Sequence, residues 1–185
     1  MIPSTSPYGD GLTASYSAVE PNNNIVDWVW VELRDPSNNT DVIAARSALL
    51  QRDGDVVDVD GSASLSFNTT PGDYLLVIQH RNHLGVMSSS SITLGGGTAA
   101  VYDFTLTPTA YEGGTNATIQ LANSNYALIA GDVNENVQVQ VTDIDALLPF
   151  IGLSIYDPTD QDMNGEVQVS DINVIQPNIG SAEQY

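Results

Sequence analysis

From Ile25 to Leu33 the chain reads Ile-Val-Asp-Trp-Val-Trp-Val-Glu-Leu, setting large apolar groups around Asp27 and Glu32 as a half-buried strand does. Residues 42–51, 64–68, 74–79, 91–94 and 101–106 read as further strands. Turn-forming stretches divide them: Pro36-Ser37-Asn38-Asn39, Asp53-Gly54-Asp55, Pro71-Gly72-Asp73 and Gly95-Gly96-Gly97. Ala44-Ala45-Arg46-Ser47-Ala48-Leu49-Leu50 could pass for a helix and is read as strand. Short strands with turn signals at this spacing predict an Ig-like antiparallel β-sandwich over residues 25–112. Residues 113–130 form a connecting seam, in which 117–121 and 126–130 could each be a strand running into Gly131-Asp132. The pattern then changes to the apolar runs Ile144-Asp145-Ala146-Leu147-Leu148 and Ile172-Asn173-Val174-Ile175, two helices expected to start through Thr142 and Ser170. The fold class is therefore mainly β, with a small α-helical module over residues 131–185. Residues 1–24, rich in Pro, Ser, Thr, Asn and Gly, read as an extended N-terminal arm.

Ahead of each helical run, oxygen-bearing side chains fall on alternate positions. Asp132, Asn134, Asn136 and Asp143 occupy positions 1, 3, 5 and 12 of a loop, and Asp160, Asp162, Asn164 and Asp171 repeat that spacing. Calcium takes six to eight oxygens at about 2.3–2.6 Å, and alternate residues of a tightly curled loop turn their oxygens inward. The backbone carbonyl at position 7, on Gln138 and Glu166, usually adds another donor, and the acid at position 12 closes the shell. One such Asp/Asn/Gly stretch alone would be a turn. Two in register point to two Ca2+ ions. Val139 and Val167, at position 8, are expected to join the loops through a short β-bridge.

In this arrangement residues 131–185 resemble the type I dockerin module, in which two loop-helix calcium motifs lacking the first EF-hand helix pack together. The second copy, Asp160-Gln161-Asp162-Met163-Asn164-Gly165-Glu166-Val167 through Asp171, follows that pattern closely. The first has Val137 in place of the glycine at position 6, where a β-branched residue at positive φ is costly. Either this loop bends differently or it binds calcium more weakly. Carried over position by position, the resemblance implies the ligands Asp132, Asn134, Asn136, Gln138 by its carbonyl, and Asp143. In the second loop it implies Asp160, Asp162, Asn164, Glu166 by its carbonyl, and Asp171. It also implies docking to a cohesin-like scaffold through loop positions 10 and 11, Val141-Thr142 and Val169-Ser170.

A second likeness reaches the N-terminal part. The strings Val26-Asp27-Trp28-Val29-Trp30-Val31-Glu32-Leu33-Arg34-Asp35, Ser47-Ala48-Leu49-Leu50-Gln51-Arg52-Asp53-Gly54-Asp55 and His80-Arg81-Asn82-His83-Leu84-Gly85-Val86-Met87 are similar to a family of large secreted surface proteins of environmental bacteria. There such a unit precedes a dockerin-like tail. The resemblance implies an extracellular or cell-surface location and a non-enzymatic role.

Charge sharpens the picture. There are 23 acidic residues against 4 basic ones, and the last basic residue is Arg81. Beyond it the chain carries Asp103, Glu112 and the acids of the loop-helix region, so self-repulsion at low calcium should loosen that half. A chain this acidic is a poor partner for nucleic acid. With no cysteine there are no disulfides, thiolate metal sites or thiol catalysis. No apolar run is long enough to span a membrane, and Met1-Ile2-Pro3-Ser4 does not resemble the start of a signal peptide.

Other chemistry is sparse. His80 and His83 could hold a transition metal. Against that, residues three apart on a strand face opposite sides; a turn could still bring them together, but a packing role for His80 and a turn role for His83 are favoured. Asp53, Asp55, Asp58 and Asp60 read as a solvated hairpin before a third calcium site. Trp28 and Trp30 share a strand face and are core residues unless they stack on sugar rings. No phosphate loop, serine elbow or metalloprotease motif appears, so no enzyme is expected. The leading expectation is a calcium-stabilised extracellular structural or adhesive protein, self-associating into a homo-polymer or contacting other surface proteins. The N-terminal arm would either dock on the chain's own sandwich or, in the polymer, add as a strand to a neighbouring subunit of a fibre. A polysaccharide-binding module and a binder of a cohesin-like scaffold are the alternatives.

Overall fold

The computed structural model describes residues 2–15, 24–95 and 99–185. It is mainly β, with antiparallel sheets and two short α-helices. The strands are β1 (Ile25–Asp35), β2 (Asn38–Gln51), β3 (Val56–Val57), β4 (Gly72–His80), β5 (His83–Met87), β6 (Ile92–Leu94), β7 (Ile119–Gln120) and β8 (Tyr126–Ala127). The helices are α1 (Val141–Leu147) and α2 (Val169–Ile175). Two compact units result, one of Met1–Ile78 with Ser91–Val101 and one of Gln79–Ser90 with Tyr102–Tyr185. Packing thus groups the chain differently from the linear division at 25–112, 113–130 and 131–185. Residues 79–90 and 102–130 bond and pack with the loop-helix region: Asn82 accepts the Gly131 N–H at 2.9 Å, and Leu84 and Ile129 pack against Val133 and Val139.

In the first unit the strand order is β3-β2-β1-β4, with β6 also paired to β4. β1 and β2 run antiparallel from Ile25 opposite Gln51 to Asp35 opposite Asn38, so the turn narrows to Pro36-Ser37. The doubtful 44–50 stretch is strand, as expected. Both faces of β1 are buried because successive side chains alternate. Trp28 packs with Leu49, Val57 and Ala14 on one face, while Val29 and Val31 pack with Ala48, Leu65, Phe67, Leu76 and Ile78 on the other. Each such side chain contributes roughly 1.5–3 kcal/mol through burial.

Several expectations need correction. Residues 2–15 are not an extended arm but dock on their own unit, the first of the two placements. Thr5 bridges Thr13, Trp28 donates its indole N–H to the Pro3 carbonyl at 2.8 Å, and Asp10 accepts the Ser47 N–H at 2.8 Å. The rest of the expected arm, residues 16–23, lies outside the described residues, as do Gly96 and Gly97. Residues 64–68 form only a bridge at Ser64, although Leu65 and Phe67 do cover the sheet. Residues 101–106 make no strand, because Asp103 accepts both the N–H and the hydroxyl of Thr105 at 2.7 Å, and that local turn replaces a ladder.

In the second unit, β4 ends at His80, turns through Arg81-Asn82 and returns as β5. Leu84, Ile129, Val133, Val139, Leu147, Val167 and Ile175 form one core, to which both helices contribute. Each α-helix tightens into a single 3₁₀ turn, at Leu148–Phe150 and Gln176–Asn178, where Pro149 and Pro177 prevent the helix from continuing. The expected bridge between Val139 and Val167 does not form. Val139 instead exchanges bonds of 2.9 Å with Ser181 and Gly180, after α2, and Val167 exchanges bonds of 2.8 Å with Leu153 and Gly152, after α1. Each loop is therefore zipped to the segment that follows the other copy's helix.

Candidate metal centre

The loops preceding α1 and α2 curl in the same way, residue for residue. Asp132 accepts the N–H groups of Asn136 and Val137, both at 3.0 Å; Asp160 accepts those of Asn164 at 3.1 Å and Gly165 at 2.9 Å. Asn136 accepts from Gln138 N–H and Asn164 from Glu166 N–H, at 3.1 and 2.8 Å. The position-12 acids span their loops. Asp143 takes the N–H of Val133 (2.9 Å), Asn134 (3.2 Å) and Gln140 (2.8 Å); Asp171 takes those of Gln161 (2.7 Å), Asp162 (3.0 Å) and Gln168 (2.7 Å). Backbone N–H groups thus point at carboxylate or side-chain amide oxygens throughout, which fixes where those oxygens face.

Loop 1 makes the same bend as loop 2 despite its missing glycine. Positions 4 and 6 have positive φ in both: Glu135 at 56° and Val137 at 66°, Met163 at 56° and Gly165 at 90°. Of the two readings of Val137, the different bend is excluded. The β-branched residue occupies the left-handed region and carries the strain itself.

The helix starts also differ from expectation. Gln140 and Gln168, not Thr142 and Ser170, are the N-cap residues, and the third residue of each helix, Asp143 or Asp171, accepts the cap N–H. The same carboxylate therefore closes the loop and begins the helix. The repeated Gln-Val-Thr-Asp and Gln-Val-Ser-Asp is the sequence signal that would have located it, an acid three residues after the cap.

Asp132, Asp143, Asp160 and Asp171 are all buried. Arg34–Glu32 and Arg46–Asp58 are ion pairs of the first unit. Burial pushes the Asp132 carboxyl up to about 6, against the pull of the Asn136 and Val137 N–H groups, with nearby Asp143 adding to the rise. Asp160 is raised for the same reason, partly countered by the Gly165 N–H and by Arg81. Burying anionic groups is costly unless hydrogen bonds and counter-charge compensate them. Asp160, Asp162 and Asp171 each offer an oxygen within 4.8 Å of the others. Oxygens on opposite sides of one calcium are about 5 Å apart, so the three can share an ion. In loop 1 the same three positions carry Asp132, Asn134 and Asp143. An all-oxygen donor set suits a hard cation and not zinc or copper.

No protein family's sequence profile matches this chain. No curated protein matches it either. Among solved structures, it is similar to an N-terminal interface mutant of a type II cohesin–X-dockerin complex from Acetivibrio cellulolyticus, at 14% identity and a TM-score of 0.46, covering 92% of this chain and 90% of that one. A C-terminal interface mutant of the same type of complex is similar at 12% identity and a TM-score of 0.44, with the same coverage. Likeness at this level decides neither fold nor function.

The remaining candidates resolve into local structure. The turn brings His80 and His83 together: their Nδ1 atoms are 3.0 Å apart and lie 2.8 and 2.7 Å from Asn82 Oδ1. In the acidic hairpin, Asp58 pairs with Arg46 at 2.5 Å and Asp60 accepts the N–H groups of Ser62 and Ala63, which is turn chemistry. Trp28 is fully buried; Trp30 is half-buried and bonds Glu32 at 3.0 Å. The residue that sequence reasoning overlooked is Asn82, which nothing in its local pattern marks.

Proposed function

We propose that the second unit binds two calcium ions and that the protein is an extracellular or cell-surface structural module stabilised by them, with no catalytic role. The reading rests on the duplicated cage: in both loops, buried aspartates at positions 1 and 12 are aimed by backbone N–H groups, with amide or carboxylate oxygens at positions 3 and 5. Asp132, Asn134, Asn136, Asp143 and the Gln138 carbonyl would hold one ion. Asp160, Asp162, Asn164, Asp171 and the Glu166 carbonyl would hold the other. Two divalent charges would offset the repulsion within a chain of net charge −19. Aspartate at position 12 gives one oxygen more readily than two, consistent with the weak binding of extracellular modules. The first unit would be the Ig-like sandwich layer that carries this module.

Calorimetric titration of the chelator-stripped chain with calcium tests the proposal. Uptake of two ions, with a rise in melting temperature, is expected; no uptake at millimolar calcium sinks it.

A second reading, recognition of a partner protein by the loop-helix unit, is favoured by one observation. Val141 and Val169, at equivalent positions, are 59% and 62% exposed despite being apolar. Polysaccharide binding through the tryptophans is disfavoured, because Trp28 has no free face. Fibre assembly by donation of residues 2–15 would first have to break the bonds they make within their own unit.

A further inference from the structure

Asn82 is fully buried at the turn between β4 and β5, and it bonds to both loops. Its backbone carbonyl accepts the Gly131 N–H at 2.9 Å, one residue before Asp132, the first position of loop 1. Its side-chain Nδ2 donates to the Asp160 carbonyl at 2.9 Å, the first position of loop 2. The Asp160 carbonyl can only accept, which fixes the amide's orientation and leaves Oδ1 facing the imidazoles of His80 and His83 at 2.8 and 2.7 Å. Beside it, Arg81 donates to the Asp157 carbonyl and lies over the Tyr156 ring, 4.4 Å from its centre, pinning the same turn to the approach of loop 2.

We propose that Asn82 is a positioning residue that couples the two loops, so that an ion in one raises the affinity of the other. This rests on the calcium reading above. Closing a loop around an ion requires its first residue to be held in place, and a single rigid side chain holds the first position of loop 2 while its own backbone holds the residue before loop 1. Ordering one loop therefore lowers the conformational cost of ordering the other. Coupling of this kind typically amounts to roughly 5- to 150-fold in affinity.

A double-mutant cycle on the full chain tests it. Loop 1 is disabled with Asn134→Ala and Asn136→Ala, both exposed positions, and the calcium affinity of loop 2 is read by calorimetry. With Asn82 present, the lesion should weaken loop 2 by at least ~5-fold; in Asn82→Ala the same lesion should change it by less than about 2-fold. Asn82→Asp, which keeps the size and the Oδ1 acceptor but loses the Nδ2 donor, should lose the coupling too. A readout that needs no change at Asn82 is also available. In the loop 1 lesion chain, calcium entering loop 2 should shift the NMR signals of the Asn82 side-chain amide and the Gly131 N–H. Independent sites in the native chain, coupling that survives both Asn82 variants, or unmoved signals would overturn the inference while leaving two-ion binding standing. No calcium uptake at all would remove both.

Discussion

Val137 holds a φ of 66°, where its branched side chain crowds the backbone, because the loop needs its own N–H and that of Asn136 aimed at Asp132. Glycine at this position should raise the stability of the calcium-free second unit by about 1 kcal/mol and tighten loop 1, since the strain would be gone. Chemical denaturation and calcium titration of Val137→Gly would check both effects; an unchanged first-loop affinity would show that the valine costs nothing. Asp132 makes a prediction about pH. Its folded carboxyl titrates near 6 against an ordinary value of 3.8, because burial disfavours the anion. Between those values the folded chain holds a proton that the unfolded chain has released, so this group favours folding below about pH 4 and loses that contribution as pH rises through 6. The chelated protein should therefore melt higher at pH 5 than at pH 7, and Asp132→Asn should narrow the gap.

At the scale of the elements, two aspartates of loop 2 should behave in opposite ways. Asp171 serves three backbone N–H groups and starts α2, so Asp171→Ala should destabilise even the calcium-free chain, by roughly 2–4 kcal/mol as buried donors lose their acceptor. Asp162 is exposed, so Asp162→Ala should leave calcium-free melting nearly unchanged while weakening ion uptake by loop 2. The two variants, compared with and without chelator, separate a ligand from a scaffold. The same contrast explains how far the sequence could be read. β1, β2 and β4 were legible because alternation and turn chemistry agree, and the two loops because oxygen-bearing residues recur at fixed spacing. The 101–106 stretch was misread because Tyr102, Phe104 and Leu106 alternate like a strand, while the short-range bond of Asp103 to Thr105 outcompetes a ladder. The helix starts were misplaced because glutamine is not a favoured cap and an acid one turn later does the capping. Asn82 was invisible because its partners, Gly131 and Asp160, are distant in sequence.

For the whole molecule, the two units differ in what holds them. The first has the ion pairs Arg34–Glu32 and Arg46–Asp58 and a central strand, β1, buried on both faces; the second has buried carboxylates around its loops. Chelation should thus lower the melting of the second unit and spare the first, splitting the transition when followed by Trp28 and Trp30, both in the first unit, alongside far-ultraviolet dichroism. Coincident transitions that do not move with chelator would contradict this division. The exchanged pairing of Val139 with Gly180 and Ser181, and of Val167 with Gly152 and Leu153, has a consequence for any attempt to isolate half of the duplication. A peptide carrying a single copy would keep one valine with bare main-chain donors and acceptors, together with the tail segment suited to cover the same valine in a twin. Two such peptides should find each other and rebuild the arrangement as a symmetric pair, so the intact chain can be regarded as that dimer with its subunits spliced end to end.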